Sequence, residues 1–202
     1  MQNPTLSNPE PKQKGYTIIE LGIALAIIAV LIVAGLAGVT SVLNSSKANS
    51  QIEDSGKLLA RLQTFVSTTA STPSLTTAVS VGLSMFPISR VASNQVTNVF
   101  GGREFVSTNA NSTTHNVTTN TGAIYTLTSV PKAVCADVAV SLSNLADSSY
   151  ISTATAPTAD QDSILGATLT TIKSSGGTIN LATLGTACNS ANAVNMQFVL
   201  KP

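Results

Sequence analysis

Glu20 stands at the mouth of an apolar run, Cys135 and Cys188 lie in the second half of the chain, and His115 is the sole histidine. These are the side chains whose type and setting suit chemistry. Glu20 follows Lys14-Gly15-Tyr16-Thr17-Ile18-Ile19, and residues 21–39 carry no further charge. A carboxylate in that place needs a partner. A cut after Gly15 would create an α-amino group on Tyr16 about one helical turn from Glu20. In one chain, or between neighbours packed side by side, ammonium and carboxylate would neutralise each other in a dry helix bundle. Removing one member of such a buried pair costs about 3 to 5 kcal/mol, enough to fix how far one helix slides past the next. The competing reading makes Glu20 an interfacial residue of a signal anchor, its carboxylate among lipid headgroups.

The run itself is of membrane length. At 1.5 Å per helical residue, residues 21–39 reach roughly 29 Å, about one hydrocarbon core. Residues 18–39 contain thirteen Leu, Ile or Val side chains, together worth roughly −4 to −8 kcal/mol on the insertion scale. A single acid costs about 2.5 to 3.5 kcal/mol at the helix centre and less near an end, so insertion wins. Lys12 and Lys14 beside the segment place the N-terminus in the cytoplasm and the remainder outside. Gly35-Leu36-Ala37 also offers small residues for an ordinary secretory cut. Against that, the apolar core is long for such a signal, and a carboxylate at its start is out of character.

Beyond the span the helix is predicted to continue. Ile52, Leu59, Leu62 and Val66 recur at helical spacing, with Lys47, Glu53, Asp54, Lys57 and Arg61 on other faces, and no proline falls between Pro11 and Pro73. Gly22, Gly35 and Gly38 interrupt the apolar half at about 1 kcal/mol each. Gly22 suits close helix packing, and Gly35 and Gly38 mark a stretch able to loosen and let the helix extend. The head starts in a Ser/Thr-rich loop over 67–77, followed by a mixed region over 79–103 with a turn at Gly101-Gly102. A second polar loop covers 109–120, where Asn111 and Asn116 open N-glycosylation patterns. Alternation predicts a strand over 123–130, and Pro131 suits the first turn of a helix whose face is lined by Val134, Val138, Leu142 and Leu145, ending near Asp147. Strands over 150–153, 167–173 and 194–200 and a short helix over 181–188 complete an α+β head.

Cys135 and Cys188 lie outside the cytoplasm in this orientation, where a disulfide is their natural state. A loop of about 53 residues closed in this way contributes roughly 4 kcal/mol. Metal ligation is the rival, but two cysteines and a distant His115 do not make a zinc site. No Ser-His-Asp set or paired carboxylates accompany His115, which excludes the common hydrolytic centres and argues against an enzyme. The head beyond Ser67 balances five basic residues against five acidic ones. It lacks the basic stripe that would follow phosphates, so no direct nucleic-acid binding is expected.

Lys14-Gly15 followed by Tyr16-Thr17-Ile18-Ile19-Glu20-Leu21 and a hydrophobic stretch resembles the class III signal of type IV pilins and pseudopilins. The resemblance implies cleavage after Gly15 by a prepilin peptidase and N-methylation of Tyr16, a position more often Phe, Met or Leu. Glu20 becomes the fifth mature residue, the family's glutamate and its assembly register. The strand, the helix carrying Cys135, the long region to Cys188 and the terminal strand are similar to type IVb major pilins, including those of toxin-coregulated and conjugative pili. That similarity implies an α-helical spine packed against an antiparallel sheet, closed by one disulfide. Four parts follow: a cytoplasmic leader over 1–15, a transmembrane and filament-core half-helix over 16–39, an amphipathic half-helix over 40–67 and a globular head over 68–202. The implied function is a filament subunit for adhesion, aggregation or conjugation. It would be held in the inner membrane before assembly and extracellular after it, with the assembly machinery and copies of itself as partners and no cofactor or metal. A minor pilin or a secretion pseudopilin is the alternative, although no Asp or Glu follows Asp162 to supply a C-terminal calcium site. A membrane-anchored periplasmic protein is a more distant one.

Overall fold

The structure, a computed structural model, describes residues 15–68, 75–107, 122–156 and 169–202. The leader before Gly15, the loop over 109–120 with His115, Asn111 and Asn116, most of the loop over 67–77, and Asp160 and Asp162 lie outside the described residues. Two compact units divide the chain, Met1–Val42 and Leu43–Pro202. Helix α1 (Ile18–Thr68) runs 51 residues through both. Its apolar N-terminal part is long and apolar enough to cross a membrane. There each large side chain from Ile18 to Val42 is at least half exposed.

In the second unit the rest of α1 meets a sheet. Leu58, Leu59, Leu62 and Val66 are buried, with Ile52 and Phe65 packed against them, while Lys47, Glu53, Lys57 and Arg61 face solvent. The amphipathic pattern of the sequence therefore sorts as helical periodicity demands. After α1 come α2 (Thr77–Gly82), a 3-10 turn (Ile88–Arg90) and three short strands, β1 (Val91–Ala92), β2 (Gln95–Thr97) and β3 (Arg103–Ser107). Strand β4 (Ala123–Pro131), helix α3 (Lys132–Ser143), β5 (Ser148–Ser152), β6 (Thr170–Lys173), helix α4 (Leu181–Asn189) and β7 (Ala193–Leu200) follow. The seven strands form one antiparallel sheet in the order β1-β2-β3-β4-β7-β5-β6.

The C-terminal strand lies inside the sheet, fifth of the seven, between β4 and β5. Tyr125 and Leu127 of β4 and Met196, Phe198 and Leu200 of β7 point to the main core, shared with α1, α3 and α4. Alternation puts Ile124 and Val199 on the opposite face, where they form a second buried cluster with Tyr150. Tyr125 and Phe198 stack across the strand pair at 6.1 Å between ring centroids.

Two expectations are corrected. Helix α3 ends at Ser143 rather than near Asp147, so Leu145 leaves the helical face and lies 49% exposed. The helix stops because Asp147 must turn back to the sheet, its N–H donating to the Val199 carbonyl at 2.8 Å. Lys173 Nζ donates to the Ser143 and Ala146 carbonyls at 2.9 and 2.6 Å, placing a cation at that helix end. Pro131 closes β4 and caps α3 instead of entering its first turn.

The turn at Gly101-Gly102 is held by Asn98, a buried side chain. Its Oδ1 accepts from the N–H groups of Phe100 and Gly102 at 2.9 Å each, and its Nδ2 donates to the Thr128 carbonyl at 2.6 Å. Gly101 has φ +88°, and a Cβ added at Gly102 would overlap the Thr128 carbonyl. Backbone cannot rotate away as a side chain can. Gly102→Ala is expected to destabilise the head by about 1 to 3 kcal/mol, read as a lower denaturant midpoint at an unchanged m-value.

Candidate functional site

The N-terminal segment owes its local structure to four residues, Thr17-Ile18-Ile19-Glu20. Thr17 precedes the helix, and its Oγ1 accepts the Glu20 N–H at 3.2 Å while its carbonyl accepts the Leu21 N–H at 3.1 Å. A threonine before the helix with an acid three positions on is the capping-box spacing, and such a cap is worth about 1 kcal/mol. The carboxylate of Glu20 also lies in the first turn, where the helix dipole favours negative charge. Thr17 thus joins the predicted set. Its spacing to Glu20 was the signal that could have revealed it.

Gly15 and Tyr16 lie immediately before this cap, and both are exposed, Tyr16 by 84%. A peptide bond preceding the helix is open to a protease, and the Tyr16 nitrogen is not committed to the helical ladder. Gly35 and Gly38 lie inside unbroken helix, with open space where a Cβ would stand. The same holds for Gly22. Cys135 on α3 and Cys188 on α4 are bonded, with their Cα atoms 5.7 Å apart and both residues buried. Of the predicted site residues, the fold brings together the two cysteines, and Glu20 meets Thr17.

A second polar centre joins α1 to the sheet and was not predicted. Gln51, fully buried, donates through Nε2 to Ser55 Oγ at 2.8 Å and to Glu104 Oε1 at 2.9 Å. Its Oε1 accepts from Arg90 Nη1 at 3.0 Å and from the Val99 N–H at 3.1 Å. Tyr125 hydroxyl completes the set, 2.9 Å from Glu104 Oε2 and 2.8 Å from Ser55 Oγ. Arg90 is also paired with Asp54 at 2.5 Å and stands 3.6 Å from Glu104. Burial pushes the Glu104 carboxyl above the usual range, opposed by its hydrogen bonds to Gln51 and Tyr125 and by the Arg90 charge. Burial and the neighbouring Glu104 push the Tyr125 hydroxyl well up.

This centre is structural in its chemistry. Its polar atoms satisfy one another inside the core, where Gln51, Ser55, Glu104 and Tyr125 are all buried. Among the described residues there is no group of three or more His, Cys, Asp or Glu placed to hold a metal ion.

Residues 11–36 match the family description "Prokaryotic N-terminal methylation motif". No curated protein matches the sequence. Among solved structures the chain is similar to TcpA, a type IV pilin from Vibrio cholerae El Tor biotype, with a TM-score of 0.54 and 13% sequence identity. The match covers 76% of this chain and 98% of that one. At that identity the likeness speaks for the fold, while the motif speaks for the first turns of α1. The chain therefore carries a prokaryotic N-terminal methylation motif on a type IV pilin fold.

Proposed function

We propose that this protein is the structural subunit of a type IVb-like pilus. The observation that carries the reading is the junction of Gly15-Tyr16, the capped Glu20 and an apolar helix whose large side chains are exposed. A prepilin peptidase cuts between Gly15 and Tyr16, and Tyr16 is then N-methylated. Residues 16–39 hold the subunit in the inner membrane with its N-terminus cytoplasmic until the assembly machinery passes it into the filament. There the same apolar surface is buried against other copies, a transfer from lipid to helix packing that small residues such as Gly22 favour. Residues 40–67 join that half-helix to the head, residues 68–202, which decides what the filament touches in adhesion, aggregation or conjugation.

Glu20 sets the register in this scheme. An incoming subunit whose Tyr16 amine is out of step leaves both charges unpaired in an apolar surrounding, at about 3 to 5 kcal/mol. Gly35 and Gly38 supply the stretch that loosens as the subunit leaves the membrane. A filament map with continuous helix through residues 33–40 would refute that last role.

Glu20→Ala tests the register. Cleavage after Gly15 is expected to continue, because the scissile bond precedes the helix, while surface filaments fall at least tenfold by immunoblot of the sheared fraction. Normal piliation in that variant contradicts the pairing.

A further inference from the structure

Glu104 shares a single guanidinium with a second carboxylate. Asp54 of α1 holds Arg90 at 2.5 Å, and Glu104 of β3 stands farther off at 3.6 Å with only 3% of its side chain exposed. Arg90 has other partners as well, Gln51 Oε1 at 3.0 Å and Ser50 Oγ at 3.2 Å. With both acids ionised the cluster carries one negative charge in excess, and that charge sits in the core.

The hydrogen bonds of the Glu104 carboxyl itself can reverse without loss. In the ionised form Tyr125 donates to Glu104 Oε2. Once Oε2 carries a proton, it donates to the Tyr125 oxygen, and the Tyr125 hydroxyl turns to Ser55 Oγ at 2.8 Å, a contact in which either atom can be the donor. Gln51 Nε2 still donates to Oε1. Protonation therefore removes a buried charge while every hydrogen bond of the carboxyl survives, and Arg90 keeps Asp54.

We propose that this cluster is an acid-responsive brace between α1 and the sheet, with Glu104 as the titrating group, so that the head tightens on mild acidification. The groups facing Glu104 are Asp54, Gln51 and Ser55 from α1, Arg90 from the 3-10 turn and Tyr125 from β4, while its paired strand β2 brings no charged side chain. The raised position of the Glu104 carboxyl agrees in sign. A group bound more tightly to its proton in the folded state adds stability as pH falls through its folded midpoint, fully gained below its unfolded one. The window lies above the ordinary glutamate range.

The test uses the full chain in non-ionic detergent, unfolded by urea between pH 8 and pH 5 and followed by tyrosine near-UV circular dichroism. The folding constant is expected to rise by up to about tenfold per pH unit within the window. Glu104→Gln mimics the protonated acid, since its amide donates to Tyr125, and should hold the neutral-pH stability of the parent or exceed it while losing the acid gain. Parallel pH curves for the two proteins, or a variant weaker at every pH, would overturn the brace. The carboxyl carbon signals of the four glutamates give a readout that needs no variant. Glu104 should titrate above Glu53, and a midpoint at or below that of Glu53 contradicts the proposal.

Discussion

Replacing both cysteines, as Cys135→Ala with Cys188→Ala, is expected to lower the stability of the head by about 4 kcal/mol. The bridge spans 53 residues and ties α3 to α4. In the chain-entropy account its main effect is on the unfolded chain, which loses the freedom of a long loop and so competes less well with the fold. A domain with about 5 to 15 kcal/mol in total gives up a large part of it. Both residues lie in the main core, so the two lost sulfurs also leave space that neighbours fill only in part. Guanidinium unfolding of the full chain in detergent measures the difference. A change under about 1 kcal/mol would mean that packing alone holds α3 and α4 together.

Gln51→Leu should cost about 3 to 5 kcal/mol although it keeps the volume and adds apolar surface. The substitution strips the Val99 N–H of its acceptor and removes one donor from Glu104. Arg90 loses a partner in the same stroke. Burying polar groups without partners is expensive, and a half-satisfied network is worse than an apolar one. Lys57→Ala provides the contrast from the same helix. Its pairing with Glu53 at 2.6 Å lies in solvent, where water and salt screen it, so the denaturant midpoint should stay close to that of the parent. Equal stability of Gln51→Leu and the parent would show that the network is dispensable.

The long helix, β4, α4 and the terminal strand were legible because each has a strong period or clear end signals. Val194 to Leu200 alternates between two buried faces, and residues 58, 59, 62 and 66 fall on one stripe of α1. The first three strands escaped notice for a physical reason. They run two, three and five residues, too short to display a period, and pairing with neighbours rather than local preference makes them strands. Asn98 and Gly102 show how a turn legible in the sequence over residues 98–102 depends on a distant carbonyl, that of Thr128.

The polar centre was hidden in residue types that usually face water. Gln51 and Ser55 stand four apart, on the stripe that continues through Leu58 and Leu62, and that placement was the available signal. Glu104 shares the core face of β3 with Val106. Only the fold brings these residues together, across sequence separations of 53 and 74 positions. The N-terminal site behaves in the opposite way. Gly15, Tyr16, Thr17 and Glu20 fall within six consecutive residues, so the proposed site can be read locally.

In the proposed function a chain cut before Tyr16 builds the filament. Surface filaments sheared from cells and purified give a principal protein whose N-terminal peptide can be read by mass spectrometry. It is expected to begin at Tyr16, 14 Da heavier from one methyl group, and to be the dominant subunit. A dominant subunit starting at Met1 or beyond Ala37, or filaments that hold this protein only in traces, would contradict it.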